Sequence, residues 1–262
     1  MYELNYMGLC DAFGSLDLYN VPVIAHASLH AFGFVEGGAE TLLQTLLQSV
    51  AALIMPTHTY TTMITPTTGP SNNGIMYGTG QDLNRMAEFY SPSMPADRLM
   101  GKVPELLRQR PDAKRSMHPI LSFAGIRANK AIASQTMEEP FAPIRMFAEA
   151  DGWVVLLGVD HTSNTTVHYA ERLAGRKQFV RWALTENGIV ACPNFPGDSS
   201  GFRVLEKDME SYTRKVQVGN ALVQAIPMKP LIEVVMERLK KNPKDLLCGE
   251  LSCPRCNEIR RM

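Results

Sequence analysis

The 262-residue chain is 45% hydrophobic and 20% charged, which is ordinary for a globular protein large enough to bury a substantial core. Lys plus Arg equals Asp plus Glu, 26 against 26, and this balance excludes a global field that favours nucleic acid or an anionic membrane. No run of eighteen apolar residues occurs and residues 1–14 lack a signal-peptide pattern, so we expect a cytoplasmic protein without a membrane partner.

Predicted strands and helices alternate along the first part of the chain. After a weakly patterned arm or short helix over 1–20, the pattern predicts a buried strand over 21–27, a leucine-striped helix from Ala39 and a second strand over 51–55. Residues 61–96 are rich in Thr, Pro, Gly and Ser, and this stretch is too long for a simple connection. We therefore expect substrate-binding loops there, with one short helix over 81–90.

The remainder of the chain continues the alternation. The predicted elements are a helix over 97–110 with Leu99 inward, a strand over 120–123, a helix over 128–133, a buried strand over 153–159, a helix over 165–172, a loop over 193–201 and final helices over 208–214 and 228–240. Asn187-Gly188 between two apolar runs predicts an antiparallel hairpin over 179–192, at a sheet edge or in a subdomain. The alternation indicates one α/β domain over 1–262, built on a mostly parallel sheet.

Three predicted strands end in polar clusters that contain histidine, at residues 26–30, 57–60 and 160–168. In a doubly wound sheet the carboxyl ends of parallel strands meet at one edge, where such folds bind their ligands. A single histidine among them is more often structural than catalytic. Three converging clusters favour a functional cleft.

His168 is the foremost candidate for acid–base chemistry. It falls in the first turns of the predicted helix 165–172, where the positive end of the helix dipole disfavours imidazolium. Glu171, three residues later, is its neighbour on one helix face and could orient the ring. A neutral imidazole held in this way can accept a proton from a nucleophile. The alternative is a histidine that only closes a local hydrogen bond.

The five cysteines are an odd number, scattered except at the tail, which argues against a disulfide framework. Cys248, Cys253 and Cys256 have the one metal-like spacing, but three thiols without an evident fourth ligand make a poor structural zinc site. We expect free thiols and no metal requirement, with zinc as the alternative. Cys192 has no adjacent base in the sequence, which disfavours a covalent mechanism.

Four blocks together resemble the aminoglycoside 3-N-acetyltransferase family, which has the antibiotic N-acetyltransferase fold and not the GNAT fold. They are HASLHAFGFVEGGAET at 26–41, MPTHTY at 55–60, a block running from SPSMP to MHPILSFAG at 91–125, and LLGVDHTSNTTVHYAE at 156–171. The resemblance runs from about residue 21 to beyond residue 200. It implies a three-layer α/β/α sandwich that binds acetyl-CoA and acetylates an amine of the 2-deoxystreptamine ring of aminoglycoside antibiotics.

The resemblance also implies roles for particular residues. His168 corresponds to the catalytic base, Glu171 lies beside it, and the Thr165 hydroxyl could approach the thioester sulfur. The residues implied in coenzyme A binding are Ser28, Leu29, His30, Thr57, Arg115, Ser116, His118 and Phe123. Direct transfer to the amine needs no acyl-enzyme.

A polycationic acceptor requires local carboxylates because the chain is neutral overall. The acidic candidates are Asp82, Glu88, Glu138, Glu139, Asp160, Glu171, Glu186 and Asp198. Of these we expect Asp82, Glu138, Asp160 and Glu171 to contact the acceptor, within a wall formed by 61–110 and 185–215. The sequence departs from the family pattern around 94–98 and 137–139, which bears on the identity of the acceptor.

Two other functions stay open at this point. The same fold could acetylate a different amine metabolite. A non-catalytic interaction protein whose cysteine tail binds a metal is the alternative from a different class.

Overall fold

The computed structural model describes residues 4–262, and the start of the predicted N-terminal arm, residues 1–3, lies outside that range. The strands are β1 (Pro22–Ala27), β2 (Ala52–Pro56), β3 (Met63–Ile64), β4 (Lys114–Arg115), β5 (Phe123–Ile126), β6 (Trp153–Leu157), β7 (Phe179–Thr185), β8 (Gly188–Phe195), β9 (Arg214–Val218) and β10 (Ala221–Pro227). The helices are α1 (Tyr6–Gly14), α2 (Gly38–Gln48), α3 (Gln81–Arg85), α4 (Lys102–Gln109), α5 (Asn129–Ala133), α6 (Ala142–Glu149), α7 (Thr165–Leu173), α8 (Leu205–Asp208), α9 (Met228–Lys241) and α10 (Pro254–Arg260). Short 3-10 helices span Leu29–Phe32, Tyr60–Thr62, Arg98–Met100, His161–Ser163 and Phe202–Val204.

The central sheet has seven strands in the order β4-β5-β2-β1-β6-β10-β9. At its centre β1 pairs in parallel with both β2 and β6. The flanking pairs β2–β5, β5–β4, β6–β10 and β10–β9 are antiparallel. Five of the seven strands therefore run in one direction, namely β4, β2, β1, β6 and β9, and β5 and β10 run in the other. The sheet is thus mostly parallel in strand direction, as predicted, although parallel pairs occur only at its centre.

A second, antiparallel sheet has the order β3-β7-β8. Its hairpin is the predicted one, with Thr185 opposite Gly188 at the turn and a φ of 108° at Gly188 that suits glycine. Phe179 and Cys192 of this hairpin share an apolar cluster with Val154 of the central sheet. The hairpin therefore packs as a small sheet on one face of the domain and does not extend the central sheet.

Two apolar cores cover the two faces of the central sheet, as a three-layer sandwich requires. One core joins the sheet to α1, α2 and α4, and the other joins it to α5, α6, α7, α9 and the small sheet. Along β6, Val154 and Leu156 belong to one core and Val155 and Leu157 to the other, because successive strand side chains point to opposite faces. Each such burial stabilises the fold by about 1.5–3 kcal/mol. Among the helices of residues 4–262, none has the length and apolar character that crossing a membrane demands.

The predicted helix over 97–110 is broken in two. Arg98–Met100 forms a 3-10 helix, Gly101 has a φ of 84°, and α4 begins only at Lys102. Leu99, which was expected to face inward, is 80% exposed because it lies before this break.

The strand expected over 120–123 begins three residues later, at Phe123. The N–H groups of Ile120 and Leu121 donate to His118 Nδ1 at 3.2 and 3.0 Å, and these bonds hold the preceding residues in a turn. A side chain thus takes the donors that a strand would have offered to its neighbour.

The helix expected over 208–214 is wrong. α8 ends at Asp208, and Arg214 begins β9, where Val216 and Val218 alternate with more exposed polar residues. β10, α6 and α10 were not predicted. The β9–β10 turn at Gly219 has a φ of 57°, so this hairpin depends on a turn that the helical interpretation overlooked.

Candidate active site

A cavity of about 1010 Å³ lies where the carboxyl ends of β1, β2 and β6 meet. Its lining includes His26, Ala27, Ser28, Leu29 and His30 at the end of β1, Pro56, His58 and Tyr60 at the end of β2, and Val159, Thr162, Ser163, Asn164, Thr165 and His168 after β6. The three histidine-containing clusters thus converge at one sheet edge, as the sequence predicts.

His168 lies in the first turns of α7 and is held by a buried chain of hydrogen bonds. Its Nδ1 is 2.8 Å from Glu171 Oε2, and Glu171 Oε1 accepts a hydrogen bond from Arg176 Nη1 at 2.7 Å. Arg176 in turn donates from Nη2 to the carbonyl oxygens of Pro243 and Asp245. Because a carboxylate accepts, Nδ1 carries the proton and Nε2 is left as the basic ring nitrogen.

Aromatic rings and a helix cap fix where His168 stands. The ring of Phe202 packs edge-on at a centroid distance of 4.9 Å, and Phe141 stacks at 6.4 Å. α7 starts where it does because Asn164 Oδ1 accepts the Thr166 N–H at 3.1 Å, which satisfies a donor at the helix start. The imidazole therefore has little rotational freedom.

Two further histidines line the cavity in the neutral form. Burial lowers the pKa of His26 to about 3. Burial, followed by the charges of neighbouring histidines and of Arg115, lowers the pKa of His58 to about 3. His26 Nε2 accepts the Thr165 N–H at 3.4 Å, and His58 Nδ1 is 3.0 Å from the Tyr60 hydroxyl. Both rings are thus hydrogen-bonded to the cavity wall.

The turn after β1 depends on a close approach of the end of β6. Ser28 N–H donates to Leu157 O at 2.9 Å, and the 3-10 helix Leu29–Phe32 follows. Gly158 has a φ of 68°, and a Cβ there would lie 2.5 Å from Ala31 Cβ. Only glycine permits this contact. Ser28, Leu29 and His30, predicted to bind coenzyme A, all line the cavity.

The loop after β8 and the start of α10 supply another part of the wall. Phe195, Asp198 and Arg255 line the cavity, and Arg255 Nη2 is 3.4 Å from Asp198 Oδ2. Partial burial opposes ionisation of Asp198, but hydrogen bonds from Ser200 and the charges of Arg255 and His168 outweigh it and lower the pKa of Asp198. Asp198 is therefore a carboxylate at neutral pH.

The charges around the cavity are unevenly distributed. Among the described residues that line it, Asp198 is the one carboxylate, whereas Arg98, Lys102 and Arg255 are basic. Arg98 and Lys102 are exposed, which places them at the open rim. Within the predicted acceptor wall, the lining comes from 98–104 and 195–199, and residues 61–97 contribute none of it.

Leu121 of the block 115–123 lines the cavity, but the residues of that block that are expected to bind coenzyme A, and Thr57 with them, lie outside the lining, so their contact with coenzyme A stays a prediction. Arg115 donates from Nη2 to Thr57 O at 2.8 Å, and Ser116 Oγ accepts the Phe123 N–H at 2.8 Å. Thr57 and Phe123 are fully buried, and His118 Nδ1 is engaged by backbone donors. None of the five side chains lines the cavity. They join the ends of β2 and β5 behind its wall.

The four expected acceptor carboxylates are also placed elsewhere. Both Glu171 oxygens are bonded within the protein. Asp160 Oδ1 accepts from the Thr162 N–H and Oδ2 from Arg203. Asp82 and Glu138 are exposed side chains outside the cavity lining. Asp82 and Glu138 were selected for their charge and for the segments that contain them, and charged side chains are mostly solvated.

The cysteines fall into separate environments. Cys192 is fully buried in the core, and burial raises its pKa to about 12, which suits a structural residue and not a nucleophile. Cys248, Cys253 and Cys256 lie together at the start of α10, beside Arg255.

Arg176 and Arg255 were not recognised from the sequence, and Asp198 was only one of eight acidic candidates. Arg176 follows the end of α7 and reaches back to Glu171, so helical spacing does not reveal the contact. The only signal for Arg255 is its position between two cysteines of a metal-like spacing.

The sequence matches a family profile described as Aminoglycoside 3-N-acetyltransferase over residues 24–240. The SPbeta prophage-derived aminoglycoside N(3')-acetyltransferase-like protein YokD of Bacillus subtilis (strain 168) is 31% identical over 159 residues, which cover 57% of each chain. Aminoglycoside N(3)-acetyltransferase VII of Streptomyces paromomycinus is 34% identical over 170 residues, covering 60% of this chain and 57% of that protein. The matched part thus spans less than two thirds of the length of these relatives.

Solved structures share the fold over nearly the whole chain. The apoenzyme of aminoglycoside acetyltransferase AAC(3)-IVa has a TM-score of 0.79 at 22% identity, covering 100% of this chain and 98% of that chain. A mutant of AAC(3)-IVa was solved in complex with a gentamicin, with a TM-score of 0.78 at 22% identity, covering 100% of this chain and 98% of that chain. AAC-IIIb was solved as a binary complex with CoASH, with a TM-score of 0.72 at 18% identity, covering 90% of this chain and 96% of that chain.

Proposed function

Because the chain belongs to the aminoglycoside 3-N-acetyltransferase family, we propose that it transfers the acetyl group of acetyl-CoA to the 3-amino group of a 2-deoxystreptamine aminoglycoside. The observation that carries the proposal is the His168–Glu171–Arg176 chain, whose imidazole lines a cavity at the sheet edge. Structures of the same fold with a gentamicin and with CoASH support these two partners.

In the proposed reaction His168 acts as general base. The amine nitrogen attacks the thioester carbonyl carbon, and its proton passes to His168 Nε2. Glu171 accepts from Nδ1 and stabilises the imidazolium, which makes it a positioning residue. The C–S bond then breaks, giving the amide and the coenzyme A thiolate, and His168 returns its proton to that thiolate. No protein nucleophile takes part.

Donors for the tetrahedral oxyanion must come from the cavity wall. The Thr165 and Thr166 N–H groups are already directed to His26 and Asn164. The candidates are the Thr165 hydroxyl and the N–H groups of Leu29 and His30 at the start of their 3-10 helix. Removing one such donor commonly raises the barrier by about 2.7–4 kcal/mol.

The two substrates would enter along differently charged walls. The rim residues Arg98 and Lys102 suit the phosphates of coenzyme A, since both are exposed cations that line the same cavity as Ser28, Leu29 and His30. Asp198 replaces the four carboxylates that the sequence predicts as the acceptor contact. Its Oδ1 accepts from the Ser200 N–H and its Oδ2 pairs with Arg255 at 3.4 Å, so an acceptor ammonium group would share Oδ2 with Arg255.

Release of the coenzyme A thiol from acetyl-CoA tests the proposal. We expect turnover with gentamicin- or kanamycin-type acceptors and a single acetyl group at the 3-amine in the product, located by NMR. His168→Ala should lower kcat by a factor on the order of 10²–10⁴ while the fold and coenzyme A binding are retained. The 3-N-acetylated product serves as the unreactive control acceptor. Wild-type turnover in His168→Ala would show that another group is the base.

A second candidate is acetylation of a smaller amine metabolite with fewer positive charges. The observation that favours it is the lining of the cavity, where one carboxylate faces three basic side chains. A panel of amines with and without the deoxystreptamine ring separates the two, because kcat/KM should be highest for the native acceptor class. A preference for amines that lack the ring would replace the first proposal.

A further inference from the structure

Cys248, Cys253 and Cys256 form a sulfur cluster that the proposed acetyl transfer does not use. Their sulfur atoms all lie within 4.8 Å of one another, and Cys248 Sγ is 3.3 Å from Cys256 Sγ. Thiolates on a tetrahedral zinc ion, with Zn–S distances of about 2.3 Å, are about 3.8 Å apart. Small side-chain adjustments would therefore bring all three sulfurs onto one metal ion.

The backbone around the cluster supports thiolate ligands. Cys253 precedes α10 and Cys256 lies in its first turn. Cys248 Sγ is 3.3 Å from Cys256 Sγ and 3.8 Å from Glu250 O, so the loop before α10 holds this sulfur against the helix. Arg260 donates to the carbonyl oxygens of Cys248 and Glu250, which ties the loop to the helix. Such outer contacts orient the ligands of metal sites.

A metal accounts for the cluster better than the alternatives do. All three cysteines are free thiols, and a disulfide between any two would leave the third sulfur without a role. Over residues 4–262 no other His, Cys, Asp or Glu ligand atom joins the group. Asp198 is committed to Arg255 and to the Ser200 N–H. The fourth position would fall to water or another external ligand, which differs from the four protein ligands that are usual in structural zinc sites.

We propose that Cys248, Cys253 and Cys256 bind one Zn²⁺ through their thiolates, and that the ion holds the start of α10 against the cavity. Three soft sulfur ligands favour zinc over magnesium or calcium. Arg255 lies between two of the ligands in the sequence. Its side chain lines the cavity and pairs with Asp198, so the start of α10 forms part of the cavity wall. The ion is structural and takes no part in acetyl transfer, so the proposal does not depend on the proposed function.

Elemental analysis of the full chain, purified without chelators under reducing conditions, tests the site. We expect about one zinc ion per chain in the wild type and in Cys10→Ser, a matched control because Cys10 lies outside the cluster. Cys253→Ser should hold at least tenfold less. Replacing the ion with Co²⁺ should produce a thiolate-to-cobalt charge-transfer band in the wild type. That band requires no variant to fold.

The proposal is overturned by zinc-free wild-type protein that takes up no cobalt, or by a Cys248–Cys256 disulfide found by mass spectrometry of the reduced preparation. The link to α10 is tested by hydrogen exchange. Stripping the ion should accelerate exchange over residues 248–260 and leave β6 unchanged, and unchanged exchange over 248–260 would refute the structural role. All of these measurements omit the acceptor, so they stay informative even if acetyl transfer fails.

Discussion

At the scale of single residues, the hydrogen-bonded chain His168–Glu171–Arg176 shows how burial limits the charged groups that a site can contain. Glu171 is 1% exposed, and a buried carboxylate is tolerated only when it is paired and hydrogen-bonded. Arg176 provides that pairing on one oxygen, which leaves the other to accept from the imidazole. Removing one partner of such a pair typically costs about 3–5 kcal/mol, because the remaining charge is left uncompensated. The stability of the fold and the orientation of the His168 ring are thus linked.

Glu171→Gln should lower kcat by a factor on the order of 10²–10⁴. The amide keeps the size of the side chain but removes the charge that favours imidazolium. Because Arg176 needs the one remaining acceptor oxygen, the NH2 group would face Nδ1 and favour the wrong ring tautomer. KM for acetyl-CoA should change little, because Glu171 does not line the cavity. Steady-state kinetics with the thiol-release assay measure both values.

Glu139→Gln is the matched control for that variant. Its carboxylate pairs with Arg172 of the same helix, but outside the cavity lining, so kcat should stay within about twofold of the wild type. The thermal unfolding temperatures of both variants separate a loss of the His168–Glu171 interaction from a loss of the fold. A folded Glu171→Gln with wild-type kcat would contradict a positioning role.

At the scale of elements, the contact between the end of β6 and the turn after β1 shapes the cavity. The parallel register sets Ala27 opposite Leu157, so the two chains leave the sheet side by side. Gly158 lets them approach, and the Ser28–His30 turn takes its place in the lining as a result. Sequence patterns identify both strands, but only their pairing shows why a glycine follows β6.

Gly158→Ala should destabilise the fold by at least about 2 kcal/mol. The alanine would have to adopt a positive φ, and its Cβ would lie 2.5 Å from Ala31 Cβ and 3.2 Å from Ala221 Cβ. Gly175→Ala is the control, since its φ is 76° but no atom lies within 4 Å of its Cβ position. The difference between the two variants in urea unfolding isolates the contact. Equal destabilisation would mean that backbone strain alone matters.

At the scale of the whole molecule, the interior holds several neutral histidines. Burial lowers the pKa of His26 and His58 to about 3, and those of His118 and His161 to about 4. An unfolded chain titrates its histidines near 6.5. Between that value and about 4, the folded protein therefore binds fewer protons than the unfolded chain, and stability must rise with pH.

We expect the free energy of unfolding to fall as pH decreases from 6.5 to 5, by up to about 2 kcal/mol for each buried histidine. The carboxyls of Asp160 and Asp198 have lowered pKa values, so their contribution is present above the ordinary Asp value of 3.8 and is lost only at lower pH. The window from 6.5 to 5 thus reports mainly on histidines. Urea unfolding at both pH values measures the change.

His161→Asn supplies the comparison for this pH dependence. It removes one buried titrating group, so the variant should lose less stability between pH 6.5 and 5 than the wild type does. A stability that is flat across the window would mean that the buried rings are protonated in the folded state.

The sequence by itself determined the elements whose signals are local. The apolar runs of β1, β2 and β6 follow from strand periodicity, the His168–Glu171 pair follows from three-residue spacing on α7, and Asn187-Gly188 marks the hairpin. These features extend over a few residues, so the chain encodes them without reference to the rest of the fold.

Only the tertiary structure decided which polar groups are hydrogen-bonded to other parts of the protein and which face the cavity. Arg115 and Asp160 are residue types that commonly bind ligands. In the structure, however, Arg115 donates to Thr57 and Asp160 accepts from Arg203, and both partners come from distant segments. Asp198 and Arg255 meet at the cavity across 57 residues. The physical reason is that a side chain's exposure and hydrogen-bond partners depend on how the layers pack, and residue spacing along the chain does not contain that information.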